Sequence, residues 1–324
     1  MSVPTPADVA AAAERIRPYI CHTPLKPSRS LSARTGVRVF LKLESMQPTG
    51  SFKLRGATNA LLSLAPDERA RGVVTCSSGN HGRAVAYVAQ QLGVPAAIFL
   101  SELVPQVKVA AIRELGAEAV VAGADFAQAD MAAHRFAEEH GRVYVHPYDD
   151  PHVIAGQGTL GLEILADLPE VDVVIVPLSG GGLLGGVALA IKAAKPGVRM
   201  IGVSMERGPS MALSLERGRI VSVVEEATLA DALSGDVGFD NRYTFPLVRD
   251  LIDDVALLSE EEIAAGMVHA LLTERLVLEG AGATPLALLL SRPELAQGRT
   301  VVAVCTGDNV TMSTLLELAT RRTP

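Results

Sequence analysis

The sequence predicts an α/β protein in which parallel β-sheets are covered by helices. Two observations support this fold class. Short β-branched runs alternate along the chain with alanine- and leucine-rich amphipathic stretches, and this alternation is typical of parallel strands joined by helical crossovers. Residues 172–177 (Asp-Val-Val-Ile-Val-Pro) are apolar over nearly their whole length, as expected of a strand that is buried on both faces of a sheet.

The predicted elements alternate from the first strand to the last. In the first half, strands at 37–43, 72–76, 96–100, 119–121 and 143–145 alternate with helices at 52–64, 81–92, 105–115 and 126–139. In the second half, strands at 172–176, 199–203, 254–258 and 300–304 alternate with helices at 153–168, 182–194, 260–273, 285–290 and 311–320. The strands are rich in β-branched residues, and the helices place apolar residues at helical spacing. Residues 206–240 are the least regular, and we expect there either a lid over a site or a plain surface loop.

Composition and charge exclude several classes of protein. The chain has 324 residues, of which 48% are apolar and 20% charged, so about two folded domains are expected. The net charge of −7 and the lack of a basic run argue against a nucleic-acid partner. Cys21, Cys76 and Cys305 are odd in number and far apart, which fits neither a disulfide framework nor a zinc site.

Nothing in the sequence predicts export or membrane insertion. The first residues lack the basic head and apolar core of a secretory signal. No apolar stretch reaches the roughly 20 residues that cross a bilayer. We therefore expect a cytoplasmic protein that makes no membrane contact.

Lys53 is the first candidate for chemistry. Lysine is scarce in this chain, and Lys53 lies between Gly50 and Gly56 at the start of a predicted helix. This placement suits an amine used in a reaction rather than for solubility. Together with loops of small residues, such an amine could form a Schiff base with a phosphorylated aldehyde, as lysine does with pyridoxal 5'-phosphate.

A glycine-rich segment follows the predicted strand 172–176. Residues 178–186 are Leu-Ser-Gly-Gly-Gly-Leu-Leu-Gly-Gly, and we call residues 180–186 the glycine loop. Exposed backbone N–H groups and the start of the next helix suit a phosphate. The spacing is neither that of a dinucleotide-binding motif nor that of a Walker loop. Tight packing of a helix on a strand is the alternative explanation.

Two other predicted strands end in small polar residues. Residues 77–82 (Ser-Ser-Gly-Asn-His-Gly) offer two hydroxyls, an amide and several N–H groups within one turn, which suits a carboxylate; a helix cap is the alternative. Thr306 follows the last predicted strand. There it is either a helix cap or a neutral hydroxyl that faces the ring of a ligand.

Taken together and in this order, these segments resemble the fold-type-II pyridoxal-phosphate enzymes, and among them the serine/threonine dehydratase and serine racemase family. The resemblance covers nearly the whole chain, and its markers are the glycine loop, 51–57 (Ser-Phe-Lys-Leu-Arg-Gly-Ala), 77–82, 146–150 (His-Pro-Tyr-Asp-Asp) and 154–159 (Ile-Ala-Gly-Gln-Gly-Thr). A narrower resemblance, to hydroxyectoine-utilisation dehydratases, rests on residues 236–245 (Asp-Val-Gly-Phe-Asp-Asn-Arg-Tyr-Thr-Phe).

The resemblance implies an architecture similar to the tryptophan synthase β subunit, with the cofactor between two parallel-sheet domains of three layers each. Residues 1–71 and 150–324 would form the large, pyridoxal-phosphate-binding domain, and residues 72–149 the small one. A homodimer is also implied, with an amino acid as the small-molecule substrate.

The resemblance also implies roles for individual residues. Lys53 would carry the cofactor and then act as the general base at the substrate Cα. Ser78 lies where racemases have a second acid/base. The other implied cofactor contacts are Phe52, Asn80, Gly180, Gly181, Gly182, Leu183, Glu279 and Thr306. The implied contacts to the substrate are Ser77, Ser78, Gly79, Asn80 and His81.

Three positions bear on the type of reaction. Thr306 would face the pyridine nitrogen, and because a hydroxyl does not keep that nitrogen protonated, loss of a β-leaving group is favoured. Asp308 departs from the glycine that is usual in the family, and we expect its carboxylate to face away from the ring. Tyr148, where racemases tend to have asparagine, favours dehydration.

No metal is expected. A cation site occurs in part of the family, and Glu206 matches one of its acidic ligands. Ala212 stands at the second acidic position, however, and Arg207 places positive charge beside Glu206. Hard divalent cations need several oxygen ligands.

The implied function is β-elimination by a lyase that acts on a β-hydroxy α-amino acid such as L-threonine or L-serine. A hydroxyectoine-derived 3-hydroxy amino acid is a narrower substrate, whose additional polar end Asp236, Asp240 or Arg242 would bind. Two alternatives stay open. One is an amino-acid racemase of the same fold, and the other is a non-catalytic protein that binds pyridoxal phosphate or another small ligand.

Overall fold

In the computed structural model, which describes residues 2–296 and 299–322, the chain forms two sheets of mainly parallel strands with helices packed on them. The strands of this part are β1 (Leu25–Pro27), β2 (Val39–Leu43), β3 (Val73–Cys76), β4 (Ala96–Leu100), β5 (Glu118–Val121), β6 (Val143–Tyr144), β7 (Val173–Pro177), β8 (Arg199–Met205), β9 (Asp254–Leu258) and β10 (Val301–Cys305). This architecture confirms the predicted α/β class.

Helices connect the strands. In the described residues they are α1 (Pro6–Ile16), α2 (Arg29–Thr35), α3 (Lys53–Ser63), α4 (Pro66–Arg71), α5 (Asn80–Leu92), α6 (Gln106–Glu114), α7 (Phe126–His140), α8 (Pro151–Asp167), α9 (Gly182–Ala194), α10 (Ser210–Arg217), α11 (Thr244–Leu251), α12 (Glu260–His269), α13 (Gly280–Ser291) and α14 (Met312–Arg322). Short 3-10 turns cover Glu44–Met46, Asp231–Leu233 and Pro293–Ala296, and a π-helical turn covers Ala270–Glu274.

The strand order separates the two sheets. The first sheet has the order β1-β2-β10-β7-β8-β9, in which β1 is antiparallel to β2 and the other neighbours are parallel. The second sheet has the order β5-β4-β3-β6 and is wholly parallel. The four strands of the second sheet are consecutive in the chain and lie within residues 72–149. The domain boundaries themselves stay a prediction, and the predicted large domain also includes residues 1, 297–298 and 323–324, which lie outside the described residues.

The sequence prediction missed β1, α1, α2, α4, α10 and α11. Strand β1 has only three residues and ends in proline, so no alternating pattern develops. Helix α1 did carry a signal, since Thr5 and Asp8 form a capping box. Helix α10 lies inside the stretch that was predicted to be irregular, which otherwise contains one 3-10 turn.

The core explains why the central strand is apolar. Val173 and Ile175 of β7 pack into one buried cluster with residues of β8, α12 and α13. Val174 and Val176, which point to the other face, pack into a second cluster with residues of α8 and α9. Both faces of β7 are therefore covered, and each such side chain contributes roughly 1.5–3 kcal/mol when it is buried.

A buried ion network fixes helix α3. The Arg55 guanidinium is fully buried and donates to Glu44 at 2.7 and 2.8 Å and to Glu163 at 2.7 and 2.9 Å. Lys42 of β2 is also fully buried and lies 2.8 Å from the Glu163 carboxylate. Because Arg55 is two residues after Lys53 in the same helix, these bonds hold the start of α3 against β2 and α8.

Candidate active site

The predicted site residues follow the carboxyl ends of strands, where α/β sheets place ligands. Thr306 follows β10, the glycine loop follows β7, and Ser77 follows β3. The Phe52 backbone N–H donates to the Thr306 carbonyl oxygen at 3.0 Å, and Ser51 forms an antiparallel bridge with Gly307. The turn that leads into α3 is thereby joined to the end of β10.

Lys53 is the first residue of α3, and its amine is held by one backbone oxygen. Nζ donates to the Pro147 carbonyl oxygen at 2.7 Å and lies 5.3 Å from the centre of the Phe52 ring. Burial lowers the pKa of Lys53 from 10.5 to about 8, while the nearby Glu279 carboxylate acts in the opposite direction. More of the amine is therefore neutral near neutral pH than for a lysine in water, and the neutral form is the one that acts as a nucleophile or base.

The glycine loop is shaped by close contacts. Gly181 has a φ of +85°, and an added Cβ there would lie 2.9 Å from Val248 Cγ2 and 3.0 Å from Met211 Cε. An added Cβ at Gly182 would lie 2.8 Å from the Tyr148 carbonyl oxygen, and one at Gly180 would meet the Tyr148 ring. Tight packing, the alternative explanation, therefore accounts in part for why these positions are glycine.

The same loop begins a helix whose first N–H groups face no side-chain cap. Helix α9 begins at Gly182, and its preceding residue makes no side-chain hydrogen bond to it. Leu183, which was also predicted to line the loop, is buried in the second core cluster. The free N–H groups and the positive end of the helix dipole suit an anion.

The turn before α5 also provides no side-chain cap for the helix that follows it. Ser77, Ser78 and Gly79 are part-exposed between β3 and α5. The Gly79 N–H donates to Ser77 Oγ at 3.3 Å, and no side chain caps α5. The helix cap that was the alternative for this turn is therefore wrong.

His81 has a different environment from the rest of this turn. Its imidazole is buried, and Nε2 lies 3.1 Å from the Val145 carbonyl oxygen. Nδ1 has no hydrogen-bond partner within the described part of the chain. Burial and the charge of Lys53 lower the pKa of His81 to about 3, so this imidazole is neutral and does not supply positive charge to a carboxylate.

Asn80 and Glu279 form a buried pair between the two sheets. Asn80 Nδ2 donates to Glu279 Oε1 at 2.8 Å, and Asn309 Nδ2 donates to Asn80 Oδ1. Burial raises the pKa of Glu279 to about 7, against the effect of the Asn80 hydrogen bond. A side-chain amide has two N–H donors, so one Asn80 hydrogen remains for a ligand while Glu279 fixes the orientation of the amide.

Thr306 and Asp308 lie on either side of Gly307. Thr306 is buried directly after β10. The Asp308 carboxylate is half-buried and packs against Gly50, in the turn before α3. Burial raises the pKa of Asp308.

Sequence reasoning identified residues 146–150 as a motif but missed their contact with the Lys53 amine. Residues 145–150, which we call the crossover segment, lead from β6 to α8. The carbonyl of Pro147 accepts from Lys53, and Tyr148 covers the glycine loop and donates from Oη to the Asp236 carbonyl oxygen at 3.1 Å. The motif His-Pro-Tyr-Asp-Asp was visible in the sequence, but a backbone oxygen leaves no signal in residue type.

The three polar residues suggested for a larger substrate differ in their surroundings. The Asp236 carboxylate accepts from Ser222 Oγ and from the Val223 N–H at 2.8 Å, so the loop itself engages it. The Arg242 backbone N–H donates to Asp149 at 2.7 Å. Asp240 is exposed. Burial raises the pKa of Tyr148, and the charges of Asp149 and Asp240 raise it further.

Neither a metal cluster nor a membrane span is found in the part of the chain that the structure describes. Residues 2–296 and 299–322 contain no group of three or more His, Cys, Asp or Glu side chains placed to hold a metal ion. Glu206 is exposed. No helix in these ranges is long and apolar enough to cross a membrane.

The residues present fit pyridoxal phosphate. Lys53 supplies the amine, and the glycine loop supplies a seat for an anion. Ser51 Oγ is buried and has no hydrogen-bond partner among the described residues. It lies beside Gly307, where an added Cβ would come within 2.5 Å of Glu279 Oε1. A buried polar atom without a partner, next to a glycine where an added Cβ would displace the Glu279 carboxylate, is consistent with a polar ligand bound nearby.

Comparison with known proteins agrees with this fit. The family model for pyridoxal-phosphate dependent enzymes matches residues 16–307. The chain is 50% identical over 304 residues to a putative threonine dehydratase of Sinorhizobium fredii, covering 94% of this chain and 92% of that protein. It is 44% identical over 307 residues to an L-threonine ammonia-lyase of Geobacter sulfurreducens, covering 95% of this chain and 76% of that protein.

A solved structure gives the same result for the fold. Maize serine racemase superposes with a TM-score of 0.92 at 35% identity, covering 99% of this chain and 98% of that chain. The broader resemblance, to the fold-type-II pyridoxal-phosphate enzymes of the serine/threonine dehydratase and serine racemase family, is thus confirmed, including the fold and the cofactor. The chain belongs to the pyridoxal-phosphate dependent enzymes of fold type II.

Proposed function

We propose that the protein is a lyase that removes water from a β-hydroxy α-amino acid such as L-threonine or L-serine, with release of a 2-keto acid and ammonia. The single observation that carries the proposal is the Lys53 amine, which is held at 2.7 Å by the Pro147 carbonyl oxygen and has its pKa lowered to about 8. The similarity to the putative threonine dehydratase and to the L-threonine ammonia-lyase supports the choice of reaction.

The residues divide the work as follows. When bound, pyridoxal phosphate supplies an aldehyde that condenses with amines and a ring that withdraws electrons from Cα. The glycine loop would bind the phosphate, and the turn formed by Ser77, Ser78 and Gly79 would bind the substrate carboxylate. Lys53, once its amine is free and neutral, removes the proton from Cα. Phe52, which lies beside that amine, would pack against the ring.

Residues at the ring edge favour elimination. Thr306 would offer an uncharged hydroxyl to the ring nitrogen and would not stabilise positive charge there. Asn80 would donate its second amide hydrogen to the phenolic oxygen, with its orientation set by Glu279. A ring held by these neutral groups would withdraw electrons only weakly, which favours loss of the β-hydroxyl.

A panel of β-hydroxy amino acids tests the function. Purified protein is incubated with L-threonine, L-serine and their D-enantiomers, and 2-keto acid, ammonia and inverted substrate are measured. We expect keto acid and ammonia in equal amounts from at least one L-amino acid. Absence of keto acid from every member would rule out the proposed lyase.

Racemisation is the second candidate, because maize serine racemase has a very similar fold and Ser78 is part-exposed on the turn before α5. In that reaction Ser78 returns a proton to the face of Cα opposite Lys53. Inverted substrate in excess of keto acid would favour it. A Ser78→Ala variant would then lose inversion and keep α-proton exchange into solvent water.

A larger substrate, derived from hydroxyectoine and carrying a second amino group, is the narrower proposal. It is supported by the resemblance of residues 236–245 and by the exposed Asp240 carboxylate near Tyr148. An Asp240→Asn variant should raise KM for such a compound and leave KM for L-threonine unchanged. Equal effects on both would remove Asp240 from the proposal. Homodimer formation and a cytoplasmic location also stay predictions.

A further inference from the structure

Consecutive residues of the crossover segment contact three parts of the site, namely the Lys53 amine, the glycine loop and helix α11. The Pro147 carbonyl oxygen accepts from Lys53 Nζ at 2.7 Å. Tyr148 lies against Gly180 and Gly182 of the glycine loop. Asp149, the next residue, reaches a third element, helix α11. One short segment therefore contacts the Lys53 amine, the glycine loop and helix α11.

Asp149 caps helix α11 from a distant part of the chain. Its Oδ1 accepts from the N–H groups of Tyr243 and Thr244 at 2.9 and 2.8 Å, and its Oδ2 accepts from the N–H of Arg242 at 2.7 Å. The residue that precedes the helix makes no side-chain cap of its own. Because the first N–H groups of a helix lack intrahelical partners and carry the positive end of its dipole, a carboxylate there is stabilising.

Helix α11 in turn supports the glycine loop. An added Cβ at Gly181 would lie 3.2 Å from Thr244 Cβ and 2.9 Å from Val248 Cγ2, and one at Gly185 would lie 3.3 Å from Leu247 Cβ. The loop is thus enclosed between α11 on one side and Tyr148 on the other. Asp149 joins the two supports, since it follows Tyr148 directly and holds the first turn of α11.

We propose that Asp149 is a positioning residue that keeps the glycine loop in the shape that binds the cofactor phosphate. The proposal rests on the proposed role of the loop as the phosphate seat. Without the Asp149 carboxylate, Thr244 at the start of α11 and the two residues before it lose three hydrogen bonds, and Thr244 and Val248 no longer fix the turn at Gly181. The amine of Lys53 would keep its partner, because that partner is the backbone carbonyl oxygen of Pro147 and not the Asp149 side chain.

The test compares two ligands that differ only in the phosphate. Affinities of the apoprotein for pyridoxal 5'-phosphate and for pyridoxal are measured by absorbance titration in wild type, Asp149→Ala and Asp149→Asn. We expect Asp149→Ala to lower the affinity for pyridoxal 5'-phosphate roughly tenfold, which corresponds to the free energy of a lost helix cap. The affinity for pyridoxal should stay nearly unchanged. Asp149→Asn keeps one acceptor oxygen and should give an intermediate loss.

The neighbouring Asp150 provides a matched control. Its Oδ1 accepts from the N–H groups of His152 and Val153 at 2.7 and 2.9 Å, so it caps α8 as Asp149 caps α11. Asp150→Ala should lower Tm and leave the ratio of the two affinities at the wild-type value. Because Asp149→Asn preserves volume, it keeps the test usable if Asp149→Ala does not fold.

Three other outcomes would overturn the proposal. An equal loss for both ligands in Asp149→Ala and Asp149→Asn would show that Asp149 supports the whole site rather than the phosphate seat. Wild-type affinities for both ligands in both variants would show that the loop keeps its shape without Asp149. If wild type itself bound both ligands equally well, the phosphate role of the loop would fail together with the inference.

Discussion

The amine of Lys53 is buried and, within the described residues, has no carboxylate as its hydrogen-bond partner, and this separates it from Lys42. Lys42 is also buried, but its amine is paired with the carboxylates of Glu163 and Asp167 at 2.8 and 3.2 Å. Lys53 has a carbonyl oxygen as its partner. Burial lowers the pKa of Lys53, and the Glu279 carboxylate only partly offsets this shift. Residue type alone does not distinguish these two lysines, whereas their partners do.

The lowered pKa of Lys53 predicts how cofactor uptake depends on pH. Only the neutral amine attacks an aldehyde, so the rate of uptake by the apoprotein should rise about tenfold per pH unit below the pKa and level off above about 8. Stopped-flow absorbance over a pH series measures this rate, with Lys53→Ala as the control for slow reaction at other amines. A midpoint near 10, roughly the value for a lysine in water, would contradict the environment described for Lys53.

Gly181 gives a second prediction at the scale of one residue. Its φ is +85° and an added Cβ would be 2.9 Å from Val248 Cγ2, whereas Gly218 has a φ of +66° and nothing within 4 Å of an added Cβ. Gly218→Ala should cost about 1–2 kcal/mol of unfolding free energy through backbone strain alone. Gly181→Ala should cost more and also weaken cofactor binding at least roughly tenfold, as measured by thermal unfolding and cofactor titration. Equal effects of the two substitutions on both measurements would contradict the shape assigned to the glycine loop.

At the scale of elements, the site depends on how α3 is anchored. The helix carries Lys53 at its first residue, and Arg55 one half-turn later joins it to Glu44 and Glu163 in the interior. Both partners of Arg55 are acidic and buried or nearly so. The network therefore holds the helix in place only as long as the guanidinium is present.

Replacement of Arg55 should therefore be strongly destabilising. Arg55→Met leaves Glu44 without its cation in the interior, and the expected loss is about 3–5 kcal/mol of unfolding free energy. Arg38 is the matched control, because its ion pair with Glu170 at 2.9 Å is exposed on both sides. In chemical denaturation, Arg38→Met should unfold at the same denaturant concentration as wild type. A loss for Arg55→Met no larger than for Arg38→Met would contradict the structural role of the network.

At the scale of the whole molecule, sequence patterns predicted the sheets better than the connections. Strands β4 and β9 and helix α9 have the predicted ends, because each is an apolar run with polar residues, proline or glycine at its ends. Strand β1 and helix α11 were missed, since one is three residues long and the other is capped by Asp149 from a distant segment. Long-range caps of this kind leave no local pattern.

The candidate site shows the same division. The glycine loop and the turn at residues 77–79 were predicted from residue types after strands and follow β7 and β3, and Lys53 lies at the start of a helix, as predicted. The burial of His81 and the partner of the Lys53 amine were not predicted. The first depends on packing against Val145 and the second on the Pro147 backbone oxygen, and neither contact is encoded in the segment that contains the functional residue.

The central claim is that the amine at position 53 binds pyridoxal phosphate covalently and carries out the chemistry. The most direct measurement is borohydride reduction of the purified, cofactor-loaded protein, followed by mass spectrometry of its peptides. The account predicts a single pyridoxyl adduct on Lys53, lost in Lys53→Ala and retained in a variant of the exposed Lys108. An adduct on another lysine, or unchanged keto-acid production by Lys53→Ala, would contradict it.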